Sequence, residues 1–291
     1  MAEFLWDYNL VTPIIVETVA HPASRGTGDA ELVGTGTYLR CHGASYLVTA
    51  KHVADRASEG IIQHLPVRDD TYVPFDGPFM SAEFPLDFAL ARVQSEYSVR
   101  ADALDTAYCP APEELLFILG FPGSTARRTE VVTGYNKRRA VLDTFPTEGF
   151  QYITQTKTPQ PPQRDDFDPR IHIAICYPAN AQKKPASPPR DLPRPDGLSG
   201  SLLWDTKRVA AERNGATWSP DMARVCGMVH HDFDISEFLS ATKIEYIRAC
   251  LLSLIRRERA YLRWISRGQL AGDALADWAW SEQTIADLDC E

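Results

Sequence analysis

The strongest constraint in this sequence is a rhythm: short β-branched runs, cut by glycines and turn residues at intervals too brief to hold a helix between them. From about Val11 to Val93 it reads "VTPIIVETV", then "AELVGTGTYLR", then "ASYLVTA" after the turn residues "CHG". Parallel strands need crossovers of about a dozen residues or more, so this spacing predicts an antiparallel sheet or small barrel and disfavours a parallel α/β sheet. A second series repeats the pattern: "EELLFILGFPG", "TEVVTGYN", "RRAVLDTF", "FQYITQTK", "RIHIAICYP", "GSLLWD" and "ARVCGMVHH". Two successive β units account for both series better than one long sheet. At 291 residues and 44% hydrophobic, the chain can bury one large or two modest cores.

Two stretches break the rhythm. Residues 158–196 hold ten of the 21 prolines, which keeps most of the segment out of central strands. "IHIAICY" is one strand expected within it. After Asp234 the apolar residues Phe238, Ile244, Ile247, Leu251, Leu254 and Ile255 recur at helical spacing. This predicts a long amphipathic helix reaching Trp264, with Gly268 as its stop and a second, acidic helix in "DALADWAWSEQTIADL". The expected organisation is an N-terminal β unit over 1–105, a second β unit over 106–236 with the Pro-rich insertion, and a helical extension over 237–291.

A formal charge of −9 argues against binding to nucleic-acid backbones. The arginines at 256, 257, 259, 263 and 267 are a local exception, and the acidic stretch that follows them offers ion-pair partners. Six cysteines, at 41, 109, 176, 226, 250 and 290, lie far apart without a CxxC pair. That disfavours a zinc knuckle or disulfide framework and suits reduced thiols in a cytoplasmic setting. No apolar run approaches the roughly 18 residues of a membrane span, and "MAEFLWDYNL" lacks the pattern of a secretory signal.

Chemistry concentrates in "PDGLSGSLLWD", where Ser199 stands between Gly197 and Gly200. A serine hydroxyl attacks an amide only when a histidine accepts its proton and a carboxylate orients that histidine. Suitable contexts are His52 in "YLVTAKHVAD", at the end of a buried strand, and Asp87 in "PLDFALARV", at the rim of another.

Read together, "LVTAKHV", "LDFALARV" and "GLSGSLLW", in the order His, Asp, Ser, resemble the three signature segments of chymotrypsin-like (trypsin-fold) serine peptidases, intracellular bacterial members among them. "GTGTYLR", "ILGFPGS" and "CGMVHH" are similar to further segments of that family, and the resemblance spans roughly Val11 to Glu258. It implies an all-β fold of two antiparallel barrels of the six-stranded type with a C-terminal helical extension. It also implies Ser199 as nucleophile, His52 as general base and then acid, and Asp87 as the residue that fixes the imidazole tautomer. The Gly197 and Ser199 amides would form the oxyanion hole. The strand end Val229, His230, His231 and Asp232 would border the cleft where a peptide substrate adds as a strand. Two departures matter: Leu198 replaces the aspartate that secreted members carry before the nucleophile, and Val53 stands where many of them have a cysteine.

The implied activity is a serine endopeptidase performing limited, regulatory proteolysis of protein or peptide substrates, without metal or organic cofactor, and with room for a regulatory protein partner. Metal binding by His230, His231, Asp232 and Asp234 is disfavoured, because adjacent strand residues point to opposite faces. Asp191, Asp196 and Asp232 could favour a basic side chain before the cut, against neutralisation by Arg190 and Arg194. Ser201 is the competing hydroxyl. A catalytically silent peptide-binding module and an esterase on the same scaffold remain open as alternatives.

Overall fold

A computed structural model describes residues 11–17, 30–41, 44–65, 72–75, 77–93, 113–123, 150–156, 167–178, 180–181, 190–232, 238–268 and 276–282. The first series of short runs becomes β1 (Val11–Glu17), β2 (Ala30–Cys41), β3 (Ala44–Ala50), β4 (Ile61–His64), β5 (Val73–Pro74), β6 (Met80–Ala82) and β7 (Phe88–Val93), with helix α1 (Lys51–Asp55) directly after β3. These strands form one antiparallel sheet in the order β5-β4-β1-β2-β3-β7-β6. The second series becomes β8 (Leu116–Gly120), β9 (Phe150–Thr154), β10 (His172–Cys176), a small ribbon of β11 (Asn180–Ala181) with β12 (Arg190–Asp191), then β13 (Leu202–Asp205), β14 (Arg224–Asp232) and β15 (Phe238–Lys243). Apart from the ribbon they pair antiparallel as β10-β15-β14-β13-β8-β9. Two curled antiparallel half-barrels with a C-terminal helix are the chymotrypsin-like architecture expected. The segments "TEVVTGYN" and "RRAVLDTF" lie outside the described residues.

Each sheet buries one face in its own core. Ile14, Tyr38, Leu47, Val53 and Ile62 fill the first, and Leu116, Ile118, Ile175, Leu198, Leu203 and Val229 fill the second. A third cluster lies between the sheets, where Tyr46, Val48, Phe88 and Leu90 meet Phe117, Leu202, Trp204 and Met228. Strand β3 is therefore apolar almost throughout: Leu47 faces its own core, while Tyr46 and Val48 face the other sheet.

The helical extension differs from the sequence expectation at its start. Phe238 belongs to strand β15, which pairs with β10 and β14, so strand pairing in the second unit runs to Lys243, past the boundary read at 236. Phe238 through Thr242 are buried continuously, which suits an inner strand and left no alternation to separate it from the helix that follows. After the short helix α2 (Arg208–Arg213) comes α3 (Ile244–Ser266), which buries Ile244, Ile247, Leu251, Leu254 and Ile255 in the inter-sheet cluster. It ends as expected at Gly268, whose φ is +78° and whose N–H donates to the Ile265 carbonyl. Residues 276–282 are helical, and Asp277 there pairs with Arg263 and Arg267 at 3.2 and 2.9 Å.

Candidate functional site

His52 is placed by the junction of β3 and α1. Val53 and Ala54 are buried and anchor the short helix, which leaves the His52 ring about half exposed beside them. Its Nδ1 lies 2.6 Å from Asp87 Oδ2, and its backbone N–H donates to Asp87 Oδ1 at 3.0 Å. Asp87 holds this position in a left-handed conformation, φ +45°, with its carbonyl accepting from Lys51 N–H at 3.1 Å and its own N–H donating to Glu83 O at 3.3 Å. Aspartate tolerates that region better than most residues. Burial pushes the Asp87 carboxyl up, but the His52 hydrogen bonds and the electrostatic pull of the facing His52 and His230 imidazoles outweigh it and hold the group below the ordinary carboxylate range. An ionised carboxylate only accepts, so the proton between the two side chains sits on His52 Nδ1, and Nε2 is left as a base.

Ser199 sits in a loop fastened to both sheets. Leu198 N–H donates to Pro195 O and Ser201 N–H to Leu198 O, a tight turn with Gly197 at φ +93° and Gly200 at φ +94°. A Cβ at Gly197 would lie 2.5 Å from Phe121 O, and one at Gly200 would lie 2.0 Å from Thr35 O. Thr35 N–H donates to Ser199 O, Thr35 Oγ1 to Gly197 O, and Thr37 Oγ1 to Gly200 O, which ties the loop to β2. Gly200 N–H donates to Val229 O and Val229 N–H to Ser201 O, which ties it to β14. The amides of Gly197 and Ser199 donate to no carbonyl among the described residues. Leu198 is fully buried among Leu116, Ile118 and Leu203, so an apolar contact occupies the place where an aspartate would stand.

The Ser199 hydroxyl donates to His230 O at 3.4 Å, and no hydrogen bond joins it to His52. Ser201 is fully buried, with its Oγ where a Cβ on Gly120 would fall, so it faces the core rather than a substrate.

The strand end expected to line the cleft divides. Val229 is 1% exposed and both its backbone groups are spent on the Ser199 loop, so it is a support rather than a substrate contact. His230 is 3% exposed and turns inward, with Nε2 at 3.1 Å from Ser240 Oγ and Nδ1 at 3.9 Å from Asp87 Oδ2. The β14–β15 register shifts between Val229 and His231, which makes His230 the extra residue of a bulge. The side chains of His231 and Asp232 lie outside the described residues. The threonines were missed by sequence reasoning. In "GTGT" they alternate with glycine, so Thr35 and Thr37 share one face of β2, and that face receives the loop.

No family model and no curated protein matches the chain. Among solved structures it is similar to the serine protease domain of the Sesbania mosaic virus polyprotein, at 12% identity over 81% of this chain and 89% of that one, with a TM-score of 0.41. It is also similar to the HtrA-type protease AlgW with a decapeptide, at 12% identity over 84% of this chain and 63% of that one, with a TM-score of 0.47.

Proposed function

We propose that this chain is a serine endopeptidase cleaving protein or peptide substrates through an acyl-enzyme. The observation that carries the reading is the doubly engaged Asp87 carboxylate, which accepts from the ring and from the backbone of His52 at 2.6 and 3.0 Å. That arrangement serves a histidine whose Nε2 must take up and return a proton. In the proposed cycle Ser199 Oγ attacks the scissile carbonyl carbon as its proton passes to His52 Nε2. The oxyanion forms against the amides of Gly197 and Ser199. His52 then gives the proton to the leaving amine as the C–N bond breaks. Water, deprotonated by the same imidazole, hydrolyses the resulting ester and restores the hydroxyl.

The proposal includes the division of labour between an N-terminal unit carrying His52 and Asp87 and a second unit carrying Ser199. It includes a substrate strand beside His231 and Asp232, and limited proteolysis in a cytoplasmic setting. Among the described residues no helix is long and apolar enough to cross a membrane.

One observation favours a second reading, a catalytically silent peptide-binding module: the Ser199 hydroxyl points to His230 O rather than to His52. At 3.4 Å that contact is long for O–H···O, so rotation of the serine side chain costs little. A fluorophosphonate probe decides between them. The expected result is covalent labelling, lowered at least about 10³-fold in Ser199→Ala and in His52→Ala. Folded wild-type protein that stays unlabelled, alone and with peptide libraries, establishes the silent module.

A further inference from the structure

Asp87 faces two imidazoles. Its Oδ2 is 2.6 Å from Nδ1 of His52 and 3.9 Å from Nδ1 of His230, one ring coming from helix α1 after β3 and the other from β14 of the second sheet. His230 is held from behind. Its Nε2 meets the fully buried Ser240 hydroxyl at 3.1 Å, and its ring packs on His172 with centroids 4.9 Å apart. His172 is fixed in one tautomer, since its Nδ1 accepts from Asp168 N–H at 3.0 Å and its Nε2 must therefore donate to Pro85 O at 2.8 Å. The bulge in β14 turns the His230 side chain inward, while the His230 carbonyl is the group that receives the Ser199 hydroxyl. One residue thus touches the hydroxyl with its backbone and faces the carboxylate with its side chain.

We propose that His230 is a positioning residue: a neutral imidazole, its Nε2 accepting from Ser240 Oγ and its Nδ1–H directed at Asp87, which steadies the carboxylate for His52. The physical reason is electrostatic: at 3.9 Å the His230 N–H is too far to hydrogen-bond Oδ2, but its dipole faces the oxygen that accepts from His52. A second N–H facing Oδ2 draws charge from the His52 side of the carboxylate and limits how strongly Asp87 pulls on the His52 proton. It also resists the swing of a carboxylate whose hydrogen bonds among the described residues come from His52. Two other ionisable groups near this cluster, among the described residues, are engaged. Lys51 pairs with Asp55 and Glu83, and Asp168 behind His172 pairs with Arg170.

This inference rests on the peptidase reading for its consequence but not for its test. In protein labelled with ¹⁵N in the histidine rings, the expected spectrum places the His230 proton on Nδ1 and gives a low-field Nδ1–H resonance for His52. In His230→Leu that low-field resonance moves further downfield, because Asp87 Oδ2 has lost the imidazole N–H that faces it at 3.9 Å. His230→Asn, which keeps an N–H donor at the δ position, returns it towards the wild-type value. Ser240→Ala releases the tautomer and gives a mixture at His230. In parallel, the acid limb of fluorophosphonate labelling shifts to higher pH by about half a unit in His230→Leu and recovers in His230→Asn. Thermal unfolding of each variant confirms that it is folded. A His230 proton found on Nε2 alone, or a His52 resonance that is the same in wild type and in His230→Leu, overturns the proposal. Absence of labelling with those NMR shifts intact overturns only the peptidase reading.

Discussion

Asp87 carries conflicting demands at the scale of a single residue. Its carboxylate is largely buried, which disfavours its charge, yet His52 uses that charge twice. Replacing it by asparagine isolates the electrostatic part. An amide oxygen can still accept one of the two His52 donors, but the NH₂ group placed against the ring favours the tautomer with its proton on Nε2, which cannot accept from Ser199. Asp87→Asn is expected to keep the fold and lower the fluorophosphonate labelling rate about 10⁴-fold. The pH dependence follows in sign. Because the fold holds Asp87 below its ordinary range, the stability it contributes is complete above the unfolded value of about 3.9 and is lost as the pH falls through the lower folded value. Melting temperatures of wild type and Asp87→Asn should therefore differ near neutrality and converge in acid. Curves that stay parallel down to the acid limit would falsify that linkage.

At the scale of elements, the Ser199 loop is a bridge, and glycine is what lets it close. Gly200 approaches the Thr35 carbonyl so nearly that any side chain must push β2 or the loop away, and its φ of +94° is strained for other residues. Gly200→Ala is expected to cost more than about 2 kcal/mol in urea unfolding and to abolish labelling, since displacement of the loop moves Ser199 with it. Wild-type stability in that variant would mean that the loop is not pinned to β2. This element also marks the limit of what the sequence displays. "GLSG" with "LVTAKHV" and "LDFALARV" pointed to the candidate side chains, because each chemistry needs a particular residue type beside a particular turn, and the structure joins two of them, His52 and Asp87. The short glycine-punctuated runs revealed β1, β2 and β3 for the same kind of reason. The inward turn of His230 was not legible, because it depends on a one-residue slip between β14 and β15 that follows from packing rather than from alternation. Strand β15 was hidden likewise: "FLSATK" is buried on both faces and runs straight into a helix, so its apolar residues merged with the helical series.

At the scale of the whole molecule, the proposed site spans the two half-barrels, and its geometry depends on what holds them together. Among the described residues three kinds of contact do so. The Ser199 loop bonds to β2; Thr242 Oγ1 donates to Leu86 O at 3.0 Å and His172 Nε2 to Pro85 O at 2.8 Å; and α3 packs into the cluster between the sheets. The helix is also pinned by its polar edge. Tyr46 on β3 donates its hydroxyl to Glu258 Oε2 at 2.7 Å, and burial together with Glu258 pushes that phenol well above its ordinary range, so it remains a donor at any working pH. Leu251 is 1% exposed at the centre of this packing. Leu251→Ala removes its methyl groups from a shared core rather than from either barrel's own. It should lower stability by about 2–5 kcal/mol while leaving one cooperative transition, because neither sheet keeps a complete apolar face without the helix. The check is a urea titration followed both by far-ultraviolet circular dichroism and by fluorophosphonate labelling. The two curves should coincide in wild type and move together in Leu251→Ala. If labelling disappears at a urea concentration where the sheets are still intact, the half-barrels separate before they unfold, and the helix is a clamp on the site rather than part of a common core.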